Sequence, residues 1–305
     1  MIRERTVFIL GAGASKPYGY PTAAQLREDI CLNFVGRIER ILPKEANRAW
    51  DFVNHFKKSN NRSVDLFVAQ NPGFTEIGRK AIALSIYEKE WSSSSGDQVS
   101  GSEDWYSYLF HRMAEDIMVG PGSFQAFSDS PATFITFNYD RSLENFLWQS
   151  LSNCFSYAKR EDIKDQLDRV EIHHVYGSID KLPWQRGRRN YGAGFPLRSI
   201  DDLTKDIKLP YDPDVNHTSD YFQKNIQDAR HVYFLGFGYA QENLEALGIP
   251  AVLSHKPAVY GTALGLFDSE IDRVKNRLNP SGNSITLNLE KCNCKELLGK
   301  YLYEN

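Results

Sequence analysis

Thr6-Val-Phe-Ile-Leu10 runs without a polar break into Gly11-Ala-Gly13-Ala-Ser15 and then, past Pro17, Gly19 and Pro21, into a patterned helix. A short β-rich run with no alternation reads as a strand covered on both faces, the signature of a parallel sheet. The helix signal is equally direct. Thr22 and Gln25 stand at capping-box spacing, and Leu26, Ile30, Phe34 and Ile38 recur every fourth residue. Strand, glycine turn, helix is the order with which doubly wound α/β domains begin.

The alternation returns after residue 130. Thr133–Phe137, Val170–Tyr176, His231–Leu235, Pro257–Leu264 and Ser284–Leu289 read as further strands. Helical faces lie between them at Leu143, Phe146, Leu147 and Leu151, and at Ile271, Val274 and Leu278. Six strands with intervening helices predict a doubly wound parallel sheet of Rossmann type. Residues 40–128 differ. Helical patterns at Ala46–Phe56, Val64–Ala69, Ile77–Trp91 and Trp105–Met118 follow one another with no strand, broken by a serine-rich loop from Ser92 to Ser102. The expected organisation is one α/β domain from 1–39 and 129–305, with a helical insertion at 40–128.

Composition narrows the function classes. The chain has 305 residues, enough to bury a full core without staples. It carries 36 Lys and Arg against 39 Asp and Glu, a balance unlike that of a nucleic-acid coat or a protein of anionic membrane surfaces. Cys31, Cys154, Cys292 and Cys294 form no C-x-x-C pair, so neither a disulfide framework nor a four-cysteine zinc site is expected. No metal is expected, no apolar run is long enough to span a bilayer, and the N-terminal apolar run is too short for a secretory signal. A cytoplasmic location is the resulting expectation.

The residues with chemical potential follow the strands, where ligands of open α/β sheets sit. Gly11-Ala12-Gly13-Ala-Ser15 suits a phosphate approached by backbone N–H groups, and equally a plain structural turn. Thr136-Phe-Asn138-Tyr-Asp140 sets a carboxamide and a carboxylate at a strand-to-helix junction; Asp140 could also serve as a helix cap. In His173-His174-Val-Tyr176-Gly177-Ser178, strand alternation puts His174 and Tyr176 on one face and His173 on the other. A second glycine turn, Gly236-Phe-Gly238-Tyr239, leads to Asn243, and Thr262 after the fifth strand can offer a hydroxyl. Arg186, Arg188 and Arg189 make a short basic cluster, either solvated or in contact with a partner.

Taken in order, Gly11-Ala-Gly13-Ala-Ser15, Gly19-Tyr-Pro21, Thr136-Phe-Asn138-Tyr-Asp140, His174-Val-Tyr-Gly177-Ser178 and Gly236-Phe-Gly238 resemble the motifs of the Sir2 (sirtuin) fold, and the chain looks most like the Sir2-like proteins of bacterial antiphage systems. The resemblance implies that NAD+ is bound as substrate. Gly11, Ala12, Gly13 and Ser15 would hold its phosphates, and Thr22, Tyr176, Gly177, Ser178, Gly236, Gly238, Tyr239, Asn243 and Thr262 would complete the pocket. Asn138 would position the nicotinamide ribose or the attacking water, supported by Asp140. Sirtuins place a histidine immediately before the Gly-Ser, where this chain has Tyr176, so His174 one pleat back is the expected base. The zinc ribbon of the protein deacetylases is missing, which favours water over an acyl-lysine peptide as acceptor. The implied activity is NAD+ hydrolysis to nicotinamide and ADP-ribose, as an antiphage effector that depletes NAD+. The expected partners are copies of itself and a HerA/FtsK-type hexameric ATPase, with no membrane and no nucleic acid. A deacylase or ADP-ribosyltransferase, and a non-catalytic NAD or ADP-ribose sensor, remain as alternatives.

Overall fold

The computed structural model describes residues 2–93, 101–115, 117, 123–194, 200–212, 215, 219–255, 257–282 and 285–302. Strands β1 (Thr6–Leu10), β2 (Ala132–Thr136), β3 (Glu171–His174), β4 (His231–Leu235), β5 (Ala258–Thr262) and β6 (Leu287–Glu290) form one sheet in the order β3-β2-β1-β4-β5-β6, with every pair parallel. This is the doubly wound arrangement the alternation predicts. The helices are α1 (Ala12–Ser15), α2 (Ala23–Ile41), α3 (Ala46–Ser59), α4 (Val64–Gln70), α5 (Thr75–Ser93), α6 (Trp105–Ala114), α7 (Ser142–Cys154), α8 (Arg160–Leu167), α9 (Ile200–Thr204), α10 (Ser219–Asp228), α11 (Gln241–Ala246), α12 (Asp268–Leu278) and α13 (Cys294–Tyr301).

All five residues of β1 are buried, because successive side chains enter opposite cores. Val7 and Ile9 join Ile135, Val232 and Phe234 under α2–α5 and α9–α12. Phe8 and Leu10 join Phe134, Tyr233 and Leu235 under α6, α7, α8 and α13. On that second face a row of rings crosses the sheet. Phe134 stacks on Phe8 (5.2 Å), Phe8 on Tyr233 (5.3 Å), Tyr233 on Tyr260 (4.9 Å) and Tyr260 on Tyr301 of α13 (4.5 Å).

Among the described residues the stretch 40–128 holds helices and turns but no strand, and its helices divide between the two layers. Helices α3, α4 and α5 share a core with α2, whereas α6 crosses to the opposite layer with Trp105 and Leu109 against the sheet. Its amphipathic stripe, Trp105, Tyr106, Leu109, Phe110 and Met113, is buried in that layer, with Tyr106 and Phe110 against Phe146 of α7 and Phe110 also against Phe127. Most of the serine-rich loop, together with Met118 and Ser284, lies outside the described residues.

Register fixes what happens at the sheet's edge. Leu10 pairs with both Thr136 and Leu235, and Thr136 pairs with His174. The carboxyl ends of the strands are therefore level, and the residues after them form one row.

Candidate active site

A cleft of about 610 Å³ opens along that row. It lies where the chain leaves β1 towards β2 on one side and β4 on the other, the switch point at which ligands of such sheets bind. Its size falls within the ~300–1,000 Å³ of small-molecule sites.

The floor is backbone against backbone. A Cβ on Gly11 would stand 2.6 Å from Gly236 O, one on Gly13 2.8 Å from the same atom, and one on Gly236 2.0 Å from Ala14 N. Gly236 also holds φ at +56°, a region that side chains disfavour. Gly11 N–H donates to Leu235 O (3.0 Å) and Gly13 N–H to Gly236 O (2.9 Å). Both glycine donors are thus committed to the protein, and the glycines are accounted for by the approach of the two turns. Thr262 is drawn into the same structure: its hydroxyl accepts from Gly236 N–H at 2.8 Å. Gly238 has open space where a Cβ would lie.

Asn138 lines one wall. Its Nδ2 donates to Gly11 O (3.0 Å) and Ser15 Oγ (2.9 Å). Because Gly11 O can only accept, the carboxamide orientation is settled. The other end, Oδ1, is buried without a protein partner. Asp140 sits beside it, its Oδ1 accepting from Ser142 N–H (3.1 Å) and the Ser142 hydroxyl, so it both lines the cleft and steadies the start of α7. Burial pushes its carboxyl up, against those hydrogen bonds.

His174 is placed differently from expectation. It does not line the cleft. Its Nδ1 lies 2.8 Å from Asn138 O and its Nε2 2.6 Å from Glu144 Oε1 on α7. Both partners accept, so the ring must carry both protons. Burial pulls its pKa down, but the Glu144 charge and these hydrogen bonds outweigh it and the net direction is upward. A ring so engaged is an acid behind the site and not a base in it. Nor does Tyr176 share its face. The strand ends at His174, whose carbonyl accepts from Gly177 N–H (3.3 Å), and past that turn the alternation lapses. Tyr176 swings to the cleft and donates to Asn243 Oδ1 at 2.8 Å.

Of the other expected pocket residues, Gly11, Ala12, Gly13, Ser15, Thr22, Gly236, Gly238, Asn243 and Thr262 line the cleft, whereas Gly177, Ser178 and Tyr239 do not. Gly177 is a packing glycine, at φ +69° with Asp206 O 1.7 Å from where a Cβ would be. The Ser178 hydroxyl donates to Asp180 O (2.8 Å) and the Tyr239 hydroxyl to Thr262 O (3.1 Å).

No protein-family model and no curated protein matches this chain.

Several cleft residues carry no sequence signal for the role. Ser63, Val64 and Asp65 enter from the start of α4, Glu242 from α11, and Cys292, Asn293 and Cys294 from the turn after β6. Burial pushes the Asp65 carboxyl up to about 6, the Glu242 charge adding to it. Burial likewise pushes the Cys292 thiol to about 11 and that of Cys294 to about 12, so both are protonated. The wall holds more carboxyl groups than cations: among the described lining residues are Asp65, Glu103, Asp140 and Glu242, and one lysine, Lys16. Among the described residues, no cluster of His, Cys, Asp and Glu could hold a metal ion, and no helix is long and apolar enough to cross a membrane.

The basic cluster is split. Arg189 turns inward to Glu90 (2.8 Å), while Arg188 stays exposed and meets Asp202 at 3.0 Å. Glu90, fully buried on α5, also takes a two-pronged pair from Arg141 (Nε and Nη2, both 2.8 Å). Arg141 in turn donates to the carbonyls of Lys181, Arg189 and Asn190. The loop after β3 is thereby tied to the residue next to Asp140.

Proposed function

We propose that the chain is an NAD+ glycohydrolase acting in the cleft at the ends of β1, β2 and β4. The observation that carries the reading is Asn138 Oδ1. A buried carbonyl oxygen with no partner costs about 1–3 kcal/mol, and an active site is where that cost is tolerated. Held rigidly by Gly11 and Ser15, this oxygen suits a ribose hydroxyl or an attacking water. Hydrolysis joins a water oxygen to the ribose C1′ as the bond to the pyridinium nitrogen breaks. Neutral nicotinamide leaves with the electron pair, and a proton passes to solvent. Positive charge builds at C1′ along the way, and a wall richer in carboxyl groups than in cations favours it. The diphosphate would lie towards Lys16 and the N-terminus of α2, where Thr22, Ala23 and Ala24 reach the cleft.

The ordered motif resemblance to Sir2-like proteins supports the same chemistry. It extends the reading to an antiphage effector that depletes NAD+ and works with further copies of itself and a hexameric ATPase.

One feature favours a second reading, NAD or ADP-ribose sensing without turnover: the histidine expected to act as base is turned away from the cleft. Nicotinamide release by purified protein at high concentration, with and without the product of any neighbouring ATPase gene, separates the two. Release by the wild type and its loss in Asn138→Ala supports the hydrolase. NAD+ binding with no release supports the sensor.

A further inference from the structure

With His174 occupied behind Asn138, the hydrolase reading lacks a base, and the cleft wall holds few groups that could serve. Tyr20, Tyr139 and Tyr176 are pushed far up by burial and stay protonated at neutral pH. The two cysteines are thiols, as above. Asp140 is committed through Oδ1 to both donors of Ser142. Glu103 is exposed and lies against Cys294. Asp65 and Glu242 are left, and of the two Asp65 carries hydrogen bonds that fix its pose.

That pose comes from the helix start. Ser63 caps α4 by accepting from Leu66 N–H (3.3 Å), and its hydroxyl donates to Asp65 Oδ1. Leu66 N–H also reaches Oδ1 at 3.1 Å. Both bonds fall on one oxygen, so the carboxyl is oriented and Oδ2 is the atom that would take a proton. The groups acting across from it are Glu242 on α11, Tyr139 after β2 and Tyr176 after β3. None of these three is a cation.

Resting on the hydrolase reading, we infer that Asp65, delivered to the cleft by α4, is the base that takes the proton of the attacking water. Glu242 lines the same cleft, and its charge adds to the burial that keeps the Asp65 carboxylate basic. As the water oxygen bonds to C1′, its proton moves to Asp65 Oδ2 and later to solvent, while nicotinamide leaves with the electrons of the broken bond. Asp65 would then be a catalytic residue supplied by the segment between β1 and β2, outside the motifs that follow the strands. The raised carboxyl of Asp65 fits a group working close to neutral pH.

The test is nicotinamide release from NAD+ across a pH series for the wild type, Asp65→Asn and Glu242→Gln, beside NAD+ binding and thermal unfolding of each. Asp65→Asn should bind NAD+ and stay folded, lose about 100-fold in release, and lose the limb on which the rate rises with pH near 6. Glu242→Gln should keep that limb and move it to lower pH. A merely structural Asp65 would change the rate without moving the limb. An Asp65→Asn protein with wild-type release and limb overturns the assignment and leaves the hydrolase reading standing. Wild type that binds NAD+ yet releases no nicotinamide under any condition overturns both. Should Asp65→Asn fail to fold, the Glu242→Gln limb decides, and an unmoved limb overturns the proposal.

Discussion

His174 and Glu144, thirty positions apart, meet at 2.6 Å behind the carbonyl that Asn138 offers to the same imidazole. The pair is buried, at 13% and 3% side-chain exposure, and needs its proton to exist. Since the folded pKa of His174 is raised above its ordinary 6.5, the pair's contribution is fully present at acidic pH below that value. It declines as pH rises through the raised folded value. Urea unfolding across that window should show stability falling with pH in the wild type and a flatter profile in Glu144→Gln. The variant itself should lose about 3 kcal/mol at the acidic end.

The two glycine turns should respond unequally to a methyl group. Gly236→Ala forces a Cβ to 2.0 Å from Ala14 N at φ +56°, backbone that has nowhere to move. A loss above about 4 kcal/mol, or no folded protein, is expected. Gly238→Ala meets open space and should unfold within about 0.5 kcal/mol of the wild type. Thermal denaturation of the two variants checks the contrast.

At Asn138 the isosteric change should be worse than the truncation. Asn138→Asp turns a donor into a carboxylate oxygen 3.0 Å from the Gly11 carbonyl, which can only accept. A buried charge facing an acceptor should cost about 3 kcal/mol, against about 1 kcal/mol for Asn138→Ala. Denaturant midpoints at neutral pH rank the two, and the gap should narrow in acid as the new carboxyl protonates.

Removing Glu90 leaves Arg141 and Arg189 buried without their shared carboxylate. Glu90→Gln should cost about 3–5 kcal/mol and free the loop after β3. Trypsin should then cut at Arg186 and Arg188 well before global unfolding, whereas the wild type resists. Equal cutting of both proteins would show that the ion cluster does not hold the loop.

The frame was legible because its signals are local. Thr6–Leu10 and His231–Leu235 match their observed strands residue for residue, since each is a continuous apolar run needing cover on both faces. The Thr22–Gln25 capping box is present as spaced, with Thr22 N–H donating to Gln25 Oε1 at 3.0 Å. The outer strands are shorter than their sequence patterns. Val170–Tyr176 shortens to Glu171–His174, because the turn at Gly177 begins before the apolar pattern stops. In the cleft, the residues directly after β1, β2 and β4 were readable from position alone. Asp65, Glu242 and Cys292–Cys294 were not, since their place depends on how α4, α11 and α13 pack, and nothing in the local pattern records it. His174 departs from the sequence expectation for the same reason: its partner Glu144 lies on a different element, and a two-residue alternation rule does not survive the end of a strand. Arg189 looked like its exposed neighbour Arg188 until Glu90 arrived from α5.

The backbone-on-backbone floor has a bearing on how this protein can diversify. Where two turns touch through glycines, there is no side chain to exchange, and any addition is rejected by the fold itself. Ligand choice can then change through the walls, which come from the start of α2, α4, the residues after β2, the turn at Tyr176, α11 and the turn after β6. None of these belongs to the glycine-on-glycine contact between the turns after β1 and β4. A library confined to the wall residues that hold no cap or core position would sample new ligands on an unchanged scaffold.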